Sequence, residues 1–408
     1  MPFAVIDNMS PDRTLLTGYI PEGADSDLEE LKWELSHPAF LEVDDALRWS
    51  YGTVSRRKGR GTPTRRGFSI RFDKPLTFDD LDHRHLGVEV TTTDDEPRSV
   101  TGLNPVTMDR TFVYRAMDQE RSAEQDDALF ARTFSPEVET DVRAARTSRV
   151  AVLIHCFYGD VLEMVLDHLE RMAHVPHDLF VDVPEDRVSE IAGLVTRRPD
   201  ARVFVVPNRG RDILPFLRVA PFLERCGYES LLKVHTKKSP TSTIGPAWLR
   251  AILRALIPED PAVLDQVLDA LAQPKTSLIG PERYYYPLSY GASAGENMYN
   301  LNLVLRSRIP QLDPVALAEG FYAQYGFFAG TMFWTRLDAL ESIYDIPTAQ
   351  IEQEPLATDG MLAHSLERLF GLVPPLTGRT MYSVRVDGHP DPFRVRPPAT
   401  KSPMRPLS

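Results

Sequence analysis

The spacing of apolar positions along the chain changes character near residue 148. Before that point apolar residues gather only in short alternating segments, such as Phe68–Phe72 (FSIRF) and Leu86–Val90 (LGVEV), set among turns and charge. Alternation of period two puts one face of a strand in a core and the other in water, so a small β-rich or α+β domain is expected over residues 1–148. Charges at helical spacing over Glu137–Arg149 predict a linker helix at its end.

From Arg149 onward the pattern becomes regular. Val150–Ile154 (VAVLI) is a continuous apolar run, as expected of a strand buried on both faces. Asp160-x-x-Glu163 predicts a helix start, an acidic version of the capping box, with Leu162, Val165, Leu166 and Leu169 on one face. Leu179–Val183, Arg202–Pro207 and Ser230–Val234 are further short strands, and helix-like segments at 186–197 and 213–225 lie between them. Strands alternating with amphipathic helices imply βαβ units, hence an α/β domain with a mostly parallel sheet and flanking helices. Thr276–Gly280 and Phe327–Trp334 predict two later strands, and Thr358–Phe370 a late helix that Gly371 should end. The expected organisation is an accessory domain at 1–148, the α/β domain at 149–378 and a proline-bearing tail at 379–408.

Composition narrows the partners. A net charge of -12 argues against nucleic acid, whose phosphate backbone needs a cationic surface. Both cysteines, Cys156 and Cys226, fall in apolar stretches, which is the usage of a reducing compartment. The first residues lack the layout of a signal peptide, and no apolar run approaches the ~18 residues needed to cross a bilayer. The expectation is a soluble cytoplasmic protein.

Open parallel sheets place ligands beyond the carboxyl ends of their strands. His155 follows the first strand, Asn208-Arg209-Gly210-Arg211-Asp212 the third, and His235-Thr236-Lys237-Lys238 the fourth. Four cations and two histidines at these ends would form a basic pocket suited to a diphosphate, which Arg grips bidentately and Lys meets as a point charge. The amides opening the helix after residue 212 would add to anion binding. The plainer reading makes these solvated loop residues, with Asp212 a helix N-cap.

Val150–Tyr158, PNRGRDILPF at 207–216, LLKVHTKKS at 231–239, LIGPE at 278–282, FFAGTMFW at 327–334 and DGMLAHSLERLFG at 359–371 together resemble the rhamnan synthesis protein F (RgpF) family. The resemblance spans about residues 149–378 and implies a GT-A-like glycosyltransferase fold that uses a nucleotide-activated sugar. Its expected donor is dTDP-L-rhamnose, and its expected acceptor a saccharide or lipid-linked saccharide of a cell-surface polysaccharide.

Many GT-A enzymes hold a divalent metal with an Asp-x-Asp pair after the fourth strand. Here His235-Thr236-Lys237-Lys238 stands at that place, so we expect lysine charge on the leaving diphosphate and no cofactor, with a divalent metal held by His235 and Asp212 or His364 as the competing idea. By resemblance, Asp359 in Thr358-Asp359-Gly360 falls where an inverting enzyme carries the base that deprotonates the acceptor hydroxyl. An acid there equally complements a helix dipole. Gly330, Thr331 and Trp334 are the expected acceptor face, although an aromatic core strand would read the same way. Six cations from Arg56 to Arg66 could touch anionic headgroups at the inner face of the plasma membrane. A non-catalytic carbohydrate- or nucleotide-binding subunit is the competing function, supported by the missing Asp-x-Asp pair.

Overall fold

A computed structural model describes residues 121–236, 245–288, 290, 325–354 and 361–385, and single helical positions between 297 and 305. It gives the strands before residue 109, the start of the first long helix and one late strand as backbone elements. The chain divides into two compact units, one of residues 1–123, 291–321 and 357–362, the other of residues 124–290, 322–356 and 363–408.

The first unit holds strands β1 (Ala4–Met9), β2 (Leu15–Ile20), β3 (Glu30–Glu34), β4 (Ala39–Val43), β5 (Arg66–Phe72), β6 (Gly87–Thr91), β7 (Pro97–Arg98) and β8 (Val106–Met108). They form a five-stranded sheet in the order β4-β5-β2-β1-β8 and a three-stranded sheet β3-β6-β7. The alternating segments noted at 68–72 and 86–90 overlap β5 and β6.

Helix α1 (Thr111–Thr133) leads to α2 (Pro136–Ala144), which Ser135 caps by accepting from the Val138 amide. The second unit is then built on β9 (Val150–His155), α3 (Gly159–Leu169), β10 (Asp178–Pro184), β11 (Arg202–Val206), α4 (Ile213–Arg225) and β12 (Ser230–His235). Next come α5 (Gly245–Leu256), α6 (Pro261–Leu271), β13 (Thr276–Pro281), β14 (Tyr285–Pro287), β15 (Gly326–Phe328) and β16 (Phe333–Arg336). Helix α7 (Leu362–Leu376), β17 (Thr380–Val384) and β18 (Val395–Arg396) complete it. Eight strands join in the order β11-β10-β9-β12-β16-β13-β17-β18. All neighbours pair in parallel except where β16 and β18 enter reversed. The unit is therefore α/β, a mostly parallel sheet flanked by helices.

Apolar residues drive both faces. Val152, Ile154, Val181, Val183, Leu232 and Val234 join one core with Leu162, Val165, Leu166, Leu253 and Leu264. The alternate positions of the same strands share the other face with α1 and α4. There Phe180 stacks on Phe204, and Phe222 and Phe134 meet Phe204 at ring distances of 5.5 Å and 5.2 Å.

Four local expectations are corrected. The acidic capping box at Asp160-x-x-Glu163 does not form: the N-cap position falls to Tyr158, whose side chain makes no cap bond. Glu190 instead accepts from the Gly159 amide at 2.7 Å, while Glu163 pairs with Arg197. The segment at 186–197 becomes a 3-10 turn over Glu185–Ile191 and a short helix over Leu194–Arg197. The single strand expected over Phe327–Trp334 is two strands in different sheets, since β15 pairs β14 and β16 joins the large sheet. Gly330 (φ 89°) and Thr331 (φ 52°) turn the chain between them. Gly371 does not end α7, which runs on to Leu376. A Cβ at Gly371 would lie 2.1 Å from the Gly326 carbonyl oxygen, so glycine serves close helix–strand contact rather than capping.

Candidate functional site

The chain proceeds from β9 outward to β10 and β11, then returns past β9 to β12. The carboxyl ends of β9 and β12 thus flank the switch point where open α/β sheets admit ligands. Asp182 pairs in register with His155, and His155 with His235. Register partners on parallel strands face the same way, so these three form one row across β10, β9 and β12. Their face is the one that packs against α4.

Every member of the row is buried, and each has an assigned task. His155 Nδ1 is hydrogen-bonded to Asp182 Oδ1. His235 Nε2 lies 2.6 Å from the Gly330 carbonyl oxygen, which can only accept, so that nitrogen carries the hydrogen. One pleat below, Lys233 Nζ donates to Asp212 and, at 2.8 Å, to the Thr331 carbonyl. The Thr331 hydroxyl donates to the same Asp212 oxygen. Glu367 accepts from the Gly330 amide at 2.6 Å.

Asp212 occupies the N-cap position of α4 but makes no cap bond there. β11 and β12 are three strand spacings apart, about 14 Å; the 208–212 loop crosses that gap to bring Asp212 to Lys233. Burial pushes the Asp212 carboxyl up, but the charges of Lys233, His235 and His155 outweigh it and hold the group well below the usual carboxylate range. Thr331, β-branched with a positive φ, sits in a backbone region that costs about 1–3 kcal/mol, and the surrounding bonds hold it there. Gly330 admits no side chain, because a Cβ would fall 2.4 Å from the Trp248 ring.

The residues anticipated for the site divide four ways. His155, His235, Asp212, Gly330 and Thr331 meet in the network just described. Asn208 and Arg211 stay partly exposed in the loop above it, Asn208 donating to Asp186 at 3.1 Å and Arg211 lying 3.9 Å from Glu354. Gly210 and Arg211 both have positive φ, 63° and 56°, which bends this loop sharply.

Arg209 and Trp334 are corrected. Arg209 is fully buried, its guanidinium bound to Asp126 and, at 2.7 Å, to the Ile351 carbonyl. It ties α1 to the 351–353 segment and presents no free charge at the strand ends. Trp334 is likewise fully buried and donates to the Leu256 carbonyl at 2.8 Å, so it is a core residue and not an acceptor surface. Lys237, Lys238 and Asp359 lie outside the described residues, as do Arg56–Arg65.

Asp182 and Lys233 escaped the reading of the sequence. The signal was present: each is a charge set inside an otherwise apolar strand, LFVDV and SLLKV. Such a residue is enclosed on folding and must find a partner.

Around this network lie groups that shape the strand-end loops. Thr236 Oγ1 accepts from the Phe157 and Tyr158 amides at 2.9 Å each, and the Arg187 guanidinium lies 4.5 Å from the centre of the Phe157 ring. Burial pushes the Cys156 thiol up to about 12 and that of Cys226 to about 11. No helix among the described residues is long and apolar enough to cross a membrane.

Fold and site together define an α/β domain whose polar residues converge at the carboxyl ends of parallel strands. A family model for RgpF, rhamnan synthesis protein F, matches residues 109–375, and the chain belongs to that family. It is also 32% identical over 260 residues to the protein named Uncharacterized protein WxcX in two strains of Xanthomonas campestris pv. campestris. That stretch takes in 62% of this chain and 35% of the relative's length.

Proposed function

We propose that this chain is an inverting glycosyltransferase with a GT-A-like domain, moving a sugar from a nucleotide donor onto a growing cell-surface polysaccharide or glycolipid. The observation that carries the reading is family membership joined to a polar row at the switch point of a mostly parallel sheet. dTDP-L-rhamnose is the donor we put first. His155, Asn208, Arg211, Lys237 and Lys238 would attend the donor diphosphate, with His235 and Asp212 fixing the Gly330–Thr331 turn beside it. Asp359 would take the acceptor proton. Residues 1–148 would form an accessory domain before a transferase domain at 149–378, with 379–408 as a tail. Contact of Arg56–Arg66 with an anionic membrane at the cytoplasmic face belongs to the same proposal.

The direct experiment is a screen of nucleotide sugars with the purified full chain, reading donor hydrolysis and transfer with and without EDTA. Transfer that survives chelation is expected. Binding without turnover across the panel would point to the non-catalytic subunit instead. For an active chain, Asp359→Asn should leave donor affinity nearly intact and lower turnover by about 10²–10⁴-fold, the usual worth of a general base. A lowered melting temperature with near-normal turnover per folded molecule would remove Asp359 from the chemistry.

A further inference from the structure

We propose that Arg187, which lies over the Phe157 ring, is the arginine that grips the donor: its guanidinium donates charge-assisted hydrogen bonds to a diphosphate settling at the carboxyl ends of β9 and β10. The inference rests on reading that edge as the donor-phosphate site, and it assigns the site a cation that strand-end position along the chain did not reveal.

The segments beyond four neighbouring strands are fastened to one another here. Phe157 and Tyr158 follow β9, the 3-10 turn over Glu185–Ile191 follows β10, Asn208 follows β11 and Thr236 follows β12. Thr236 Oγ1 accepts from the Phe157 amide at 2.9 Å, which ties the segment after β9 to the end of β12. Asn208 donates to Asp186 at 3.1 Å, and Glu190 accepts from the Gly159 amide at 2.7 Å. Asp186 and Glu190, acids of the same turn as Arg187, thus already hold protein donors, and Phe157 is anchored from a second strand.

Among the described residues nothing accepts from the Arg187 guanidinium. Its Nε is enclosed without a partner, and the Asp186 carboxylate stands 3.8 Å away, beyond hydrogen-bond reach. A guanidinium carries five N–H donors and no acceptor, so a ligand that binds it must accept. The side chain is 39% exposed, and its Cζ lies 4.5 Å from the centre of the Phe157 ring. Contact with an aromatic face holds the planar fork without consuming its donors, which prepares it for bidentate contact with phosphate oxygens. Arg209 and Arg197 show the alternative. Arg209 is bound to Asp126 and the Ile351 carbonyl, and Arg197 to Glu163, Asp167 and Glu170. Folding matches their donors within the protein and leaves those of Arg187 to a ligand.

The test is calorimetry of the full chain, with thymidine diphosphate, inorganic pyrophosphate and thymidine titrated separately. Arg187→Gln should weaken thymidine diphosphate and pyrophosphate about 10–100-fold, the worth of a charge-assisted hydrogen bond, and leave thymidine as it is in the parent. Arg187→Lys keeps the charge without the fork and should recover only part of that loss; it carries the test alone if Arg187→Gln does not fold. Phe157→Leu removes the ring beneath the guanidinium and should weaken both phosphate ligands about 2–5-fold. Arg149→Gln deletes one positive charge at the amino end of β9, where Arg149 pairs with Glu229, and should leave every affinity unchanged. Parent-like binding of pyrophosphate to Arg187→Gln would overturn the proposal while leaving the donor site standing. An equal loss in Arg149→Gln would overturn it as well, since the effect would then belong to the field of the whole chain. Weakened thymidine with unchanged pyrophosphate would put Arg187 on the base and overturn the phosphate contact. Failure of the parent to bind any of the three would bring down the donor site and the proposal with it.

Discussion

The two faces of the large sheet are made by the same strands, yet only one of them turns polar toward the carboxyl ends. On the face covered by α3, α5 and α6, β9, β10 and β12 present Val152, Ile154, Val181, Val183, Leu232 and Val234, all buried and all apolar. On the face covered by α4, the alternate positions begin with Ala151, Leu153, Phe180 and Leu231 and end in His155, Asp182, Lys233 and His235, equally buried. Burial alone therefore says nothing about the job of a position here. One face draws its stability from area removed from water, at roughly 25 cal/mol per Å². The other adds to its apolar part charges that need partners, an arrangement which well-packed apolar side chains would often match or exceed in stability. A network that stability alone does not favour points to work at the strand ends.

The largest expected effect breaks the polar face. Lys233→Met leaves Asp212 enclosed without its cation and should cost about 3–5 kcal/mol in urea denaturation. Adding Asp212→Leu to it should recover much of that loss, as removing both partners ends the desolvated charge. A cost under about 1 kcal/mol for Lys233→Met would erase the contrast between the faces. The neighbouring residue sharpens it: Leu232→Ala, pointing to the opposite side, should cost about 2–5 kcal/mol, and no second substitution on the α4 face should relieve it.

A smaller effect belongs to the contact between α7 and β15. Gly371→Ala should destabilise by about 1–3 kcal/mol, since the new methyl meets the β15 backbone at Gly326 and Phe327. A neutral outcome would mean that the helix can shift away from the strand.

The last effect is read in the slope of stability against pH rather than in its size at neutral pH. Asp212 is held below the usual carboxylate range when folded and returns to about 3.9 when unfolded, so the unfolded chain binds the proton first. Its contribution is fully present above about pH 4 and is lost as pH falls toward the folded value. Asp212→Asn should flatten stability against pH in that acid range, and the parent chain should show the steeper fall. Equal slopes would place the carboxyl in an ordinary environment.

Much of the second unit was legible in the sequence. Val150–Ile154, Leu179–Val183, Arg202–Pro207 and Ser230–Val234 each became strands within a residue or two of their expected ends, because buried parallel strands announce themselves as apolar runs. The helix at 213–225 did so through its period. The bends were not legible. The mostly apolar segment over Phe327–Trp334, aromatic at both ends, hides the change of sheet at Gly330–Thr331, where the decisive quantity is a backbone torsion. For the site, position at strand ends found His155, His235 and Asp212, but it counted charges without their partners. Arg209 looked like a free cation until Asp126, 83 residues away, closed on it. Spacing along the chain carries no trace of such a pairing.

The two thiols give this molecule a built-in chemical stopwatch. Cys156 directly follows His155 at the strand end, whereas Cys226 caps the far end of α4, and both are buried with their acidity suppressed. Alkylating reagents attack the thiolate, so in the closed protein both should react slowly, each at a pace set by how often its own surroundings open. A compound that lodges over the carboxyl ends of the strands would retard labelling of Cys156 and leave Cys226 at its former pace. The ratio of the two labelling rates thus locates an occupant on the protein before its identity is known.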